Sequence, residues 1–494
     1  MEVRLPGGAV RGSLESGVAV FRGIPYAEPP VGALRFAAPR PAARWEGVRP
    51  ALSYGPPPPQ PDALGLGPAG DDWLTVNVWS PAPDPAARLP VMVWIYGGAY
   101  VIGGSSQPEL DGTRLARDGG VVVVTFNYRL GMEGFAQLAG APANRGLLDQ
   151  VAALEWVRDN IAAFGGDPAE VTLFGQSAGG GSVAALLAMP RAAGLFRRAV
   201  VQSMPGTFFA PDLAADIAST CAAEIGSRAT AGDLATVDPA LLVLAADTVS
   251  DTMADQAGRW GLPAHRSILF APVVDGDVLP VTPWQALTAG AGRDVDLLAG
   301  HTRDEHRLFT VFTGYLGQVT TDQAETALRL FGAGDYRAAY PEAGADQLYE
   351  LVHEDWLFRM PTLHLAEAQL AGGGRAHVYE LTWPAPGMGG ALGACHGLDV
   401  PLVFGNLTSG QPAMLIGERP TRAATDLSKR MRTAWTTFAT TGDPGWPPYD
   451  NRRLTQVFDT SPAVTPYPEE RSRLIWRDHS FVPLALHPAA APRP

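Results

Sequence analysis

Short runs of apolar, mostly β-branched residues recur along the chain without polar alternation. This pattern is typical of strands that are buried on both faces of a parallel sheet. The two clearest runs are 91–95 and 121–126. Further strand candidates lie at 171–174, 199–202, 295–299 and 377–381.

Segments with helical spacing lie between these runs. Apolar residues recur every three or four positions from 147 to 164, and Gly165 and Gly166 predict the end of that helix. A helix is also predicted from 180 to 189, before Pro190. A late helix carries one apolar face: Leu427, Met431, Trp435 and Phe438.

Alternating strands and helices predict an α/β fold, with a mostly parallel central sheet and helices on both faces. The stretches 207–290 and 310–375 are rich in helix-forming residues and carry no strong strand signal. We therefore expect helical insertions over the active-site edge of the sheet. Apolar residues are spread along the whole chain, and the proline run 56–59 is interpreted as a surface loop. One domain, 1–494, is predicted.

Gly175-Gln176-Ser177-Ala178-Gly179 lies between a predicted buried strand and a predicted helix. Glycines allow a turn too tight for side chains, which would raise the serine hydroxyl above the sheet. A serine attacks a carbonyl only when a base removes its proton, so this turn implies a histidine partner. Glycine-rich chains contain this pattern by chance, and the strand-to-helix context is what favours a nucleophile.

The candidate oxyanion loop is Tyr96-Gly97-Gly98-Ala99, directly after the predicted strand 91–95. Small residues let the backbone N–H groups approach a developing oxyanion. An ordinary glycine turn would explain the same residues if Ser177 were absent.

Charge and cysteine content limit the classes of partner and cofactor that we expect. The formal net charge of −13 disfavours nucleic acid and anionic membranes as partners. The two cysteines, Cys221 and Cys395, show no metal-ligand spacing, and a disulfide between them is poorly supported. The beginning of the chain lacks a signal-peptide pattern, so a cytoplasmic protein is expected. No cofactor and no metal are predicted.

The ordered motifs along the chain resemble the type-B carboxylesterase family, which includes bacterial para-nitrobenzyl esterases, animal carboxylesterases and cholinesterases. The resemblance covers nearly the whole length and implies the α/β-hydrolase fold and hydrolysis of small to medium carboxylic esters. The matching segments are 21–27, 34–36, 74–79, 127–129, 146–150, 160, 164–168 and 175–179.

The resemblance also implies a role for individual residues. Ser177 would be the nucleophile, with the N–H groups of Gly98, Ala99 and Ala178 as oxyanion donors. The triad acid falls within 300–305, where the register of the motif favours Glu305 over its rival Asp304. The histidine loop 395–399 supplies the base, His396. The chain order serine, acid, histidine is the order that this fold imposes.

A possible substrate pocket is also predicted around these residues: Tyr96, Gly97, Tyr100, Met132, Glu133, Gln176, Met204, Phe309 and Cys395. Trp73 stands where the family usually has a cysteine, so the first disulfide of secreted relatives is missing. Few tryptophans lie nearby to stack on a quaternary ammonium, which makes cholinesterase specificity improbable.

Three other functions are compared with these sequence features. The glycine-rich stretch 65–70 lacks a preceding strand and contains Pro68, so it does not fit a dinucleotide-binding fingerprint. A catalytically inactive adhesion protein would not be expected to keep all three triad residues. An acyltransferase or lactone-forming enzyme with the same triad remains the alternative, and the oligomeric state stays open.

Overall fold

The computed structural model describes residues 1–410 and 412–487. Its strands form an eleven-stranded sheet and a separate three-stranded sheet. The strands are β1 (Glu2–Leu5), β2 (Gly8–Arg11), β3 (Ser13–Glu15), β4 (Val18–Pro25), β5 (Val48–Pro50), β6 (Thr75–Ser80), β7 (Leu89–Ile95), β8 (Val122–Phe126), β9 (Gly166–Gln176), β10 (Arg198–Gln202), β11 (Asp296–Thr302), β12 (Arg375–Leu381), β13 (Leu454–Phe458) and β14 (Ala463–Pro466).

The large sheet has the order β14-β13-β12-β11-β10-β9-β7-β8-β6-β4-β3. Pairing is parallel from β13 to β8 and antiparallel at both ends. The prediction of a mostly parallel central sheet is therefore confirmed. Strand β9 begins earlier than predicted because its first residue, Gly166, still pairs with Leu89. The short edge strands were not predicted, since three or four residues give too weak a pattern.

Helices cover the sheet. They are α1 (Thr113–Gly119), α2 (Gly131–Phe135), α3 (Arg145–Asn160), α4 (Ala178–Ala188), α5 (Pro211–Glu224), α6 (Ala231–Leu234), α7 (Pro239–Asp251), α8 (Ala257–Trp260), α9 (Leu262–His265), α10 (Pro283–Thr288), α11 (Arg307–Phe312), α12 (Thr321–Phe331), α13 (Tyr336–Ala339), α14 (Ala345–Glu354), α15 (Met360–Ala371), α16 (Asp399–Phe404), α17 (Pro412–Ile416), α18 (Arg422–Thr441) and α19 (Glu470–Trp476). A π-helical turn, Asp355–Arg359, joins α14 to α15.

Both predicted insertions are helical. The first contains α5 to α10, and the second contains α12 to α15 with the end of α11. The predicted helix 147–164 is α3 followed by a 3₁₀ turn, which ends at Gly165 with a left-handed φ of 85°. All four predicted apolar residues of the late helix, α18, are buried. Stretch 65–70 is a loop without a following helix, which agrees with rejecting the dinucleotide fingerprint.

A buried ion pair fixes the sheet to α3. Arg129, after β8, donates to Asp149 through Nε at 2.8 Å and Nη2 at 2.7 Å, and its backbone N–H donates to the same carboxylate at 3.0 Å. Both side chains are fully shielded from solvent. Because each charge is paired and hydrogen-bonded, the cost of burying it is offset.

Candidate active site

Ser177 occupies a sharp turn between β9 and α4, with φ 57° and ψ −127°. A Cβ at Gly179 would lie 2.0 Å from the carbonyl oxygen of Ile95, and one at Gly175 would lie 2.6 Å from the backbone of Gly179. The two glycines are therefore required by close contacts between backbones. The turn is held by the Ser177 N–H, which donates to the carbonyl of Gln202 at 2.9 Å.

His396 and Glu305 come together from loops that follow neighbouring strands. Glu305 follows β11, and His396 lies between β12 and α16. The Nδ1 of His396 is 2.5 Å from Oε2 of Glu305. The other oxygen of the carboxylate accepts from the Ser203 hydroxyl at 2.5 Å and from the Thr302 N–H at 2.8 Å. These contacts fix the orientation of both the acid and the imidazole.

Glu305 is completely buried, yet its environment favours the charged form. Burial by itself raises the pKa of a carboxyl group, but the charge and hydrogen bond of His396 and the bonds from Ser203 and Thr302 outweigh it. The pKa of Glu305 is therefore lowered below its ordinary value. The rival carboxylate, Asp304, turns away and accepts instead from the N–H of Ala394 at 2.8 Å.

The second ring nitrogen of His396 contacts the residue that precedes Ser177. Its Nε2 lies 3.1 Å from the side-chain amide nitrogen of Gln176. If Nδ1 donates to Glu305, a neutral imidazole has its lone pair on Nε2, which suits an amide donor. Among the hydrogen bonds of the described residues, none involves the Ser177 hydroxyl. A relay through Ser177 therefore requires the hydroxyl to replace the amide of Gln176 at Nε2.

The predicted oxyanion loop passes directly over Ser177. A Cβ at Gly97 would lie 3.0 Å from the Cβ of Ser177. Gly98, Ala99 and Tyr100 all adopt positive φ, at 112°, 54° and 63°. Ala178 opens α4, where the helix dipole favours negative charge.

One cavity of about 520 Å³ contains these groups. Its first wall is formed at the sheet by the predicted residues Tyr96, Gly97, Gly98, Ala99, Tyr100, Gln176, Ser177, Ala178 and His396. The opposite wall comes mainly from the insertions and α11, including Asp247, Arg266, Phe270, Phe309, Leu357 and Phe358. The rings of Phe358 and His396 stack with centroids 4.1 Å apart.

Four of the predicted pocket residues do not line this cavity. Met132 and Glu133 line a smaller neighbouring cavity, where Glu133 forms an ion pair with Arg35. Met204 is fully buried in the core. Cys395 points away from the cavity into the protein, and burial raises the pKa of its thiol to about 12. Met204 and Cys395 do not line the cavity, although the residues that directly follow them, Pro205 and His396, do.

Ser203 and Phe358 were not predicted as site residues, because each lies far along the chain from the residue that it contacts. Ser203 contacts Glu305, and Phe358 contacts His396. Asp399 lies beneath the site rather than in it. Its Oδ2 accepts from Gln202 Nε2 at 2.9 Å and from the Tyr379 hydroxyl at 2.7 Å. These bonds tie α16 to β10 and β12 and so support the histidine loop.

Both cysteines, Cys221 and Cys395, are free, so the disulfide considered between them is not formed. Within residues 1–410 and 412–487, no three His, Cys, Asp or Glu side chains are grouped to hold a metal ion. No helix in the described part of the chain has the length and apolar character needed to cross a membrane.

Known proteins resemble this chain over most of its length. The model of the carboxylesterase family matches residues 1–472. The chain is 40% identical to the para-nitrobenzyl esterase of Bacillus subtilis, over 94% of this chain and 96% of that protein. It is 38% identical to the phenmedipham hydrolase of Pseudarthrobacter oxydans, over 88% and 89% of the two chains.

A solved structure of a carboxylesterase from Geobacillus stearothermophilus matches with a TM-score of 0.86 and 35% identity, covering 96% of this chain and 99% of that one. The fold and the serine turn thus define an α/β hydrolase. The chain belongs to the carboxylesterase family and is a carboxylic ester hydrolase.

Proposed function

We propose that the protein hydrolyses small to medium carboxylic esters through an acyl-enzyme, with Ser177 as nucleophile, His396 as base and Glu305 as the triad acid. The observation that carries this proposal is the 2.5 Å contact between His396 Nδ1 and Glu305 Oε2 at the wall of a cavity that also contains Ser177.

The cycle begins when His396 Nε2 takes the proton of Ser177 as its oxygen attacks the ester carbonyl. The amide of Gln176 leaves Nε2 before this step. The protonated imidazole then gives its proton to the departing alcohol, and an acyl-enzyme remains. Water activated by His396 attacks this acyl group and releases the acid. Glu305 holds the tautomer and stabilises the positive imidazolium throughout.

The negative charge of each tetrahedral intermediate is proposed to lie against the N–H groups of Gly98, Ala99 and Ala178. The contact of this loop with Ser177 supports this role, since a Cβ at Gly97 would lie 3.0 Å from the Cβ of Ser177 and small residues let the backbone N–H groups approach the substrate. Ala99 replaces a glycine of the family pattern and retains the N–H, so its methyl group adds bulk without removing a donor.

The test is hydrolysis of a para-nitrophenyl ester series by wild type and Ser177→Ala. Phenmedipham is tested beside the series because one relative is named a phenmedipham hydrolase. We expect Ser177→Ala to lose activity by on the order of 10⁶-fold. Ser219→Ala, an exposed serine on α5, is the matched control. A folded Ser177→Ala protein with normal turnover would contradict the proposal.

The cellular compartment and the domain organisation are proposed together with this function. Both cysteines are free thiols, which supports a reducing compartment such as the cytoplasm. Residues 1–494 are proposed to form one domain with a small-molecule ester as the partner. Product analysis in the presence of alcohols distinguishes hydrolysis from acyl transfer.

A further inference from the structure

One cationic side chain lines the active-site cavity from the first insertion. Arg266 directly follows α9, and it is the only lysine or arginine among the described residues of the lining. Its Nε is shielded from solvent and has no hydrogen-bond partner in the described part of the protein. No described carboxylate forms an ion pair with it.

Other buried arginines of this protein are matched by acceptors. Arg129 pairs with Asp149, and Arg359 pairs with Glu354 and Asp355. Arg145 donates to several backbone carbonyls. Arg266 is partly buried, and its neighbour Tyr349 is a neutral phenol rather than a carboxylate, so its charge lacks the ionic partner that offsets lost hydration elsewhere. Arg266 therefore differs from Arg129 and Arg359, because no described carboxylate pairs with it.

The neighbours of Arg266 do not neutralise it. Burial lowers the pKa of Arg266, and the adjacent Tyr349 offsets this only partly. Burial, followed by the nearby charge of Arg266, also lowers the pKa of His306 and of His353, so these two imidazoles are neutral. The guanidinium thus faces the cavity beside uncharged rings.

Two carboxylates line the same cavity, but in other parts of its wall. Glu109 also belongs to a neighbouring cavity formed with Gln107 and the loop around 64–68. Asp247 also borders the small cavity that contains Met132. Neither carboxylate is among the charges that influence Arg266.

We propose that Arg266 binds a carboxylate carried by the ester substrate, at a position remote from the reacting carbonyl. This inference rests on the proposed function. A guanidinium can bind a carboxylate through two parallel hydrogen bonds, and the substrate would supply the negatively charged acceptor that the described residues do not. The substrate class is therefore an anionic ester, such as a monoester of a dicarboxylic acid.

A series of ring contacts connects His396 to Tyr349, the neighbour of Arg266. Phe309 contacts the ring of His396, with centroids 5.7 Å apart, and contacts His306 on its other side at 5.5 Å. Tyr349, the neighbour of Arg266, lies beyond His306. We therefore place the carboxylate several bonds from the reacting carbonyl and choose an adipate, rather than a succinate, for the test.

The first experiment compares matched esters with the wild-type enzyme. Para-nitrophenyl hydrogen adipate is compared with its methyl ester, which has the same length and no charge. We expect kcat/KM to favour the anion by roughly 10- to 100-fold, from the usual strength of a charged hydrogen bond. The preference should decline with added salt, and it would run against the repulsion expected from the net charge of −13.

A second pair places the carboxylate on the alcohol side: the acetate ester of a long hydroxy acid and its methyl ester. A preference for the anion in either pair supports the subsite and shows which half of the substrate reaches Arg266. Absence of a preference in both pairs, while the neutral esters are hydrolysed, overturns this inference and leaves the proposed function intact. Failure to hydrolyse any ester overturns both.

Substitutions then test whether Arg266 causes the preference for the anionic ester. Arg266→Gln should reduce the ratio of kcat/KM for anion over neutral ester by at least about tenfold. Arg266→Lys should keep part of it, because the charge remains without the planar fork. Arg259→Gln, an exposed arginine of the same insertion paired with Asp216, should leave the ratio unchanged. A ratio unchanged in folded Arg266→Gln would overturn the assignment.

Discussion

The two walls of the active-site cavity are built in different ways. The wall at the sheet consists of loops that follow β7, β9, β11 and β12, and backbone contacts fix its geometry, as at Gly179 and Ser177. The opposite wall consists of side chains from the insertions and α11, such as Phe358, Phe309 and Arg266.

Because of this difference, we expect one wall to carry out the reaction and the other to determine which substrate is preferred. Parallel strands bring their carboxyl ends to one edge, so the first wall can hold the reacting groups rigidly in place. The second wall contacts the rest of the substrate through side chains that can be exchanged without changing the sheet. Substitutions in the first wall should therefore abolish activity or stability, and those in the second should change which ester is preferred.

The largest effect below the serine itself is expected for Glu305→Gln. The amide can still accept from Thr302, but its NH₂ group would face Nδ1 of His396 and favour the wrong tautomer. We expect kcat to fall by roughly 10⁴-fold with the fold retained. Steady-state kinetics on a para-nitrophenyl ester measures this.

Asp304→Asn is the matched control for the acid. Asp304 contacts Arg303 and the N–H of Ala394, and an amide oxygen can still accept the latter bond. A larger loss in Asp304→Asn than in Glu305→Gln would show that the acid has been assigned to the wrong carboxylate.

A smaller effect, on stability, is expected for Gly179→Ala. The added methyl group would meet the carbonyl of Ile95 at 2.0 Å, so β7 and α4 must separate. We expect the free energy of unfolding to fall by about 1–3 kcal/mol, as measured by urea denaturation. Gly258→Ala on α8 has open space around it and should change stability by at most about 1 kcal/mol. Equal effects of the two substitutions would contradict the account of the turn.

The smallest effect is expected in the second wall. Phe358→Ala removes the ring stacked on His396, and such a contact contributes about 0.5–1.5 kcal/mol. We expect kcat/KM to fall by roughly 2- to 10-fold, by different amounts for short and long acyl chains. Phe312→Ala, an exposed ring on α11, is the control. A uniform loss comparable with that of Glu305→Gln would remove the distinction between the walls.

The sequence predicted the first wall far better than the second. Gly175 to Gly179 and the helix α3 are local patterns, and local backbone geometry determines them. Ser203 was missed because its contact with Glu305 spans 102 residues, and no spacing records such a contact. The edge strands were missed because they are too short to show a period.

Met204 and Cys395 do not line the cavity for the same physical reason. Consecutive side chains of an extended segment or loop point in different directions, so sequence neighbours of site residues need not share the site. Cys395 directly precedes His396 in the sequence but is buried away from the cavity. Met204 directly follows Ser203 in the sequence, and its side chain is buried in the core. The lining contributed by the insertions depends on how distant helices pack, which one sequence does not reveal.

The most direct test of the central claim is labelling with a fluorophosphonate, followed by mass spectrometry of the peptides. We predict one adduct, on Ser177, formed in proportion to the loss of esterase activity and much more slowly in His396→Ala. Complete inactivation with the adduct on another residue, or equal labelling of Ser177→Ala, would contradict it.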